Sequence, residues 1–195
     1  MNFITRCMTA LTGLMLSFGA LATPLELSDV KLDESINLHG ATLLLNGAGI
    51  RYKMMFKVYV VALYLERKAL TPEDVIATPG VKRISITALR DIDANELGKG
   101  FTQAFEKNVP KIDMSRLVPG LVRQGQMFAA QKKMMEGESL TIDWVPGTGM
   151  VTSIKGKPQG EPIREIEFFN AMTRIWLGSQ PVDWKLKDEL LGKPS

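Results

Sequence analysis

Arg51 is the side chain in this sequence best suited to hold an anion. It lies in LLLNGAGIRYKMMFKVYVVALYLE, residues 43–66, just after Gly47 and Gly49, with Tyr59 and Tyr64 following. A guanidinium offers a planar fork of donors to a carboxylate, and a phenol adds one more short donor. Arg51 and Tyr59 are separated by an even number of residues, so an uninterrupted strand would carry both on one face. By residue type alone, an arginine at a strand end can equally pair with a nearby carboxylate or face water.

Other chemistries have few candidates. His39 is the one histidine and falls in a predicted turn. Cys7 is the one cysteine and falls in the N-terminal leader, so the mature chain has no thiol for a nucleophile or a thiolate metal site. No Gly-x-Ser-x-Gly occurs to serve a histidine base. NGAGIR lacks the third glycine of a dinucleotide loop and runs into a strand rather than a helix. No catalytic residue, metal ligand or cofactor is expected from these patterns. Asp91 and Asp93 read as a helix start, where negative charge suits the dipole. Met54–Met55 and Met134–Met135 read as deformable core or pocket lining, and Phe168–Phe169 as core.

The elements that would position Arg51 follow from periodicity. Residues 23–40 read as a lead-in strand and turn, with Val30 and Leu32 alternating with charges as on a half-exposed edge. ATLLLNGAG reads as a strand running into a turn at the glycines, and MMFKVYVVALYLE as a central strand. LTPEDVIATPG is a short helix capped by Thr71 with Pro72 first. VKRISITAL alternates as another strand. DIDANELGKGFTQAFEKNVP is a helix with capping-box spacing at Asp93 and Glu96 and a stripe of Leu97, Phe101, Ala104 and Phe105. DMSRLVPGLVRQGQMFAAQ continues as helix with an interruption at Pro119–Gly120. SLTIDWVPGTGMVTSIKG is a hairpin, and two helices ending at Gly178 and Gly192 close the chain. Strands, central helices, a hairpin and terminal helices make an α+β protein, with helices packed on an antiparallel sheet.

The chain has 195 residues, 24 Lys+Arg and 21 Asp+Glu, with no basic run longer than two. That suits one domain and gives little support to nucleic-acid binding. Residues 1–22 carry one cation, Arg6, then an apolar stretch ending in Ala20-Leu21-Ala22. This is the anatomy of a secretory signal peptide cleaved after Ala22; a short membrane anchor is the alternative. Residues 23–195 then form a single domain, expected to be periplasmic or secreted, with no membrane span after cleavage. The oligomeric state is left open.

Three blocks carry a resemblance: LNGAGIRYKMMFKVYVVALYLE, DANELGKGFTQAFEKN and EIEFFNAMTRIWLGSQPVDWKLKDELLG. Together they resemble the chalcone isomerase-like family, in its bacterial exported branch, over roughly residues 35–192. The resemblance implies an open-faced β-sandwich, an antiparallel sheet backed by a layer of helices, with a ligand cleft between them. Family enzymes cyclise a chalcone, using a cation for the developing enolate oxygen and hydroxyl donors to orient the substrate. Arg51 matches the family arginine. The polar positions depart: Tyr59 stands in place of a threonine, no tyrosine follows Tyr64, and Ile175 replaces a hydroxyl residue in the final helix. Tyr59 instead resembles the fatty-acid-binding members, where arginine and a strand tyrosine hold the carboxylate and the acyl chain fills an apolar tunnel.

The expectation is a non-catalytic binder of a fatty acid or similar small amphipathic carboxylate. Arg51 and Tyr59 would hold its head group, and Phe101, Phe105, Phe168 and Met172 would form the apolar wall. Two rivals remain: an isomerase or lyase using Arg51 on an enolate, and an interaction protein that kept the fold without a ligand.

Overall fold

A computed structural model describes residues 24–193. The expected signal peptide lies outside the described residues. The chain opens with a small hairpin, β1 (Leu25–Leu27) and β2 (Val30–Leu32), followed by β3 (Ser35–Leu38). Two long strands come next, β4 (Ala41–Lys53) and β5 (Phe56–Leu65), joined by a two-residue turn at Met54–Met55. Helix α1 (Pro72–Ala77) leads to β6 (Lys82–Ala88) and the short β7 (Ile92–Asp93). Helices α2 (Ala94–Asn108) and α3 (Lys111–Ala129) follow, then β8 (Lys133–Met134), β9 (Ser139–Val145), β10 (Gly149–Ile154) and β11 (Lys157–Pro158). Helices α4 (Ile166–Leu177) and α5 (Trp184–Leu190) end the described chain.

Seven strands pair antiparallel in the order β11-β10-β9-β6-β5-β4-β3. The sheet is curled and carries helices on one face, giving the expected α+β class. β5 explains the layering. Its alternate residues Tyr59, Val61, Leu63 and Leu65 meet the helices, whereas Val60, Ala62 and Tyr64 pack on the other side against residues of β1–β4. A strand buried on both faces has no polar alternation, which is why its sequence is a continuous apolar run.

Local signals set several boundaries as expected. Thr71 caps α1, its side chain accepting from the Asp74 amide, and Asp93 caps α2 by accepting from the Glu96 amide. His39 is an exposed turn residue with a φ of 49°.

Three expectations are corrected. The glycines are not a turn: β4 runs straight through Gly47 and Gly49, with register irregularities at Leu45/Gly47 and Arg51/Tyr52. Their role is close approach. A Cβ on Gly47 would overlap the Glu189 carbonyl, and one on Gly49 the Glu189 carboxylate. Bare backbone there lets α5 lie directly on β4. Pro119 does not break α3, which is one helix. Its missing amide costs one helical bond, but Gly120 beside it seats the Phe168 ring where a Cβ would overlap, so packing holds the helix. Met54 and Met55 are not core: they form the turn and are 91% and 82% exposed, with Met54 at the edge of a groove as pocket lining.

Candidate functional site

β4 and β5 place Arg51 and Tyr59 directly opposite each other as cross-strand partners. A turn therefore lies between them, and the single-strand argument for a shared face does not apply. They share a face because opposite residues of an antiparallel pair do. Gly47, Gly49 and Arg51 occupy alternate positions of β4 on that face, so the seam that admits α5 leads to the arginine.

Helix α5 runs antiparallel to β4. Leu186 lies at Gly49 and Leu190 at Gly47, so the helix start comes to Arg51. Asp183 caps that start, its Oδ1 accepting from the amides of Lys185 and Leu186 at 3.0 and 3.2 Å. Its Oδ2 lies 3.5 Å from Arg51 Nη1, a single long contact. Asn108 holds the preceding loop: its Nδ2 donates to the Gln180 carbonyl and its Oδ1 accepts from the Gln180 amide.

Tyr59 is buried beneath this pair. Burial pushes its phenol above the usual value; the Trp176 indole and the Arg51 charge pull it back, and Asp183 raises it. The hydroxyl thus keeps its proton and is a donor at neutral pH. Trp176 Nε1 is buried against the Tyr59 hydroxyl, without a close hydrogen bond to it. Phe101 packs edge-on to Trp176, ring centroids 5.4 Å apart.

Arg51, Tyr59 and Phe101 line a groove of about 510 Å³ between the β4–β5 turn, the first half of α2 and the loop before α5. That volume falls in the range of small-molecule sites. Val58, Ile92, Leu97, Phe101 and Val182 form apolar wall, while Lys53, Arg90, Asp93 and Glu96 stand among its polar lining. Phe56 also borders the groove, under the Arg90 guanidinium at 5.5 Å.

The structure brings Arg51, Tyr59 and Phe101 together at this groove. It does not bring Phe105, Phe168 or Met172 there. All three are 0–1% exposed in the packed core, where the Phe105 and Phe168 rings lie 5.4 Å apart. The reason is helix phase and packing: α2 turns Phe105 inward, and Gly120 of α3 closes on Phe168. Behind the groove the core is filled. A remnant of about 10 Å³ among Val61, Leu63, Ile84 and Trp176 is too small to hold a chain. Sequence reasoning missed Trp176 and Asp183. The Asp183 cap was legible in PVDWKLK, but its reach to a residue 132 positions away was not.

A second cleft of about 550 Å³, lined by Arg123, Glu161, Arg164 and Glu165, lies away from these residues, and its charges are of both signs. Among the described residues no cluster of His, Cys, Asp and Glu could hold a metal, and no helix is long and apolar enough to cross a membrane.

A curled antiparallel sheet with helices on one face and a cation–phenol pair in a groove defines the class of protein. The model of the chalcone isomerase-like family matches residues 24–192, and the chain belongs to that family. No curated protein sequence matches it. Among solved structures it is similar to a fatty-acid binding protein of Arabidopsis thaliana, with a TM-score of 0.63 and 13% identity over 84% of this chain and 92% of that one. At that identity the likeness is one of fold.

Proposed function

We propose that this protein is an exported, non-catalytic binder of a small amphipathic carboxylate, a fatty acid or a molecule of similar chemistry. One observation carries the reading: Arg51 and Tyr59, a guanidinium and a phenol, stand side by side as cross-strand partners lining a groove with an apolar wall. Arg51 has five N–H donors and its one ion-pair contact among the described residues is the 3.5 Å approach to Asp183. A carboxylate would take the remaining fork, with the Tyr59 hydroxyl donating to it. The fatty-acid binding protein of the same fold adds support. The leader-like residues 1–22 support export, with a periplasmic or secreted destination.

The apolar tail would lie along Leu97, Phe101, Ile92 and Val58 toward the open mouth, since the core behind is closed. Ile175 stands where the family enzymes carry a hydroxyl residue, which disfavours the isomerase alternative. The test is calorimetric titration with a fatty acid, together with native mass spectrometry of the protein as purified. Arg51→Ala and Tyr59→Phe should each weaken binding by about 1–3 kcal/mol, the worth of a charge-assisted hydrogen bond. Equal affinity in wild type and Arg51→Ala would remove the head-group role. Turnover of a chalcone that is lost in Arg51→Ala would return the enzyme reading.

A further inference from the structure

The turn joining β4 to β5 is built against its own local interest. Met54, Met55 and Phe56 are 91%, 82% and 56% exposed, three consecutive large apolar side chains in water. Met54 also has a φ of 57°, a left-handed conformation that glycine or asparagine adopts with ease and methionine does not. Glycine or asparagine at position 54 would suit this backbone better, and polar residues at the tip would dissolve better. The chain instead presents two thioethers and a phenyl ring at the tip.

The flanks supply the second observation. Residues 51–57 read RYKMMFK, with cations at Arg51, Lys53 and Lys57 and no acid. Lys53 and Lys57 stand at the base of the tip on either strand, and Arg90 lies over the Phe56 ring. Of the carboxylates at the groove, Asp91 pairs with Lys133, Asp93 caps α2 and Asp183 caps α5, while Glu96 of α2 has no side-chain bond among the described residues. Trp184, 62% exposed, begins α5 at this same end of β4. Apolar side chains at a tip with lysines at its base match the layers of an anionic bilayer, acyl boundary within and phosphates outside.

We infer that the β4–β5 hairpin docks this protein on an anionic lipid surface. Met54, Met55 and Phe56 enter the boundary between head groups and acyl chains, and Lys53 and Lys57 stay with the phosphates. Met54 and Phe56 also border the groove, so docking turns its mouth toward the lipid. The inference stands apart from the carboxylate reading, because the hairpin's exposure and charge are the same whatever the groove holds.

The experiment is co-sedimentation of the chain, purified from the soluble fraction of an exporting host. The vesicles are phosphatidylcholine and phosphatidylglycerol in equal parts, compared with phosphatidylcholine alone. Met54→Asn/Met55→Gly removes the tip while giving the left-handed position 54 a residue that adopts it with ease, and a thermal melt checks its fold. Wild type should prefer the anionic vesicles and release in high salt, and the turn variant should bind about tenfold more weakly or worse. Lys53→Glu/Lys57→Glu should erase the preference for phosphatidylglycerol. Equal partitioning of wild type and the turn variant, or no binding by wild type, would overturn the inference. So would a wild-type dimer in solution that the turn variant dissolves, which would assign the tip to a second copy.

Discussion

Lys82 shows what a single buried charge does to this molecule. It is 2% exposed, and its ammonium donates to the Val75 and Ile76 carbonyls at the end of α1. Burial lowers its pKa from 10.5 to about 8. The unfolded chain therefore holds this proton to higher pH than the folded one, and stability rises with pH between those two values. Tyr59 and Tyr64 act in the opposite sense: burial raises both phenols, so above the usual tyrosine value the unfolded state loses protons first and stability falls. Urea midpoints measured from neutral pH upward should climb and then drop, and Lys82→Met should lose the climb. Parallel profiles for the two proteins would show that Lys82 is not the source. Neither lysine nor tyrosine could be ranked this way from the sequence, because burial depends on which elements cover them. Arg51 and Tyr59 were singled out by the family resemblance, since by residue type an arginine at a strand end can equally pair with a carboxylate, and Arg51 does approach Asp183. Asp183 was not, since a helix cap carries no local sign of the strand it will meet.

At the scale of elements, the seam between β4 and α5 decides where the site is. Asn46, buried in β4, fastens its ends: Nδ2 donates to the Ala69 and Leu190 carbonyls, and Oδ1 accepts from the Ala69 amide. Gly47→Ala would press a methyl against the backbone carbonyls of Glu189 and Leu190, which cannot move without the helix. It should cost about 1–3 kcal/mol as overpacking and carry Asp183 away from Arg51. Gly49→Ala meets the end of the Glu189 side chain and a Leu186 methyl, which can swing aside, and should cost less. Thermal denaturation of the two variants gives the comparison, and an equal or larger loss at Gly49 would sink the close-approach argument. The helices, the central strand and the last hairpin were readable from periodicity and caps. The glycine pair was misread because its local composition is that of a turn. Its partner arrives from the far end of the chain, and no local pattern records that arrival. Pro119 was misread for the same reason, its helix being held by Gly120 against Phe168.

For the whole molecule, the filled core limits what the groove can take. If a carboxylate is anchored at Arg51, each methylene should add about 0.8 kcal/mol only until the open groove is full. Affinity across a series of fatty acids should then level off well before palmitate length. A steady rise to long chains would mean that the core opens, and that the packing of Trp176 against Phe101 gives way. The groove also joins distant parts of the chain. Arg51 and Tyr59 come from its first third, whereas Val182, with Asp183 beside Arg51, comes from the loop before the last helix. Contacts of such long sequence separation form late, after the loop-closure entropy has been met. The groove is therefore complete only once the segment before α5 has packed. A chain still emerging from a ribosome has its arginine but not that wall, so under the carboxylate reading it would hold no ligand until its C-terminal part is free.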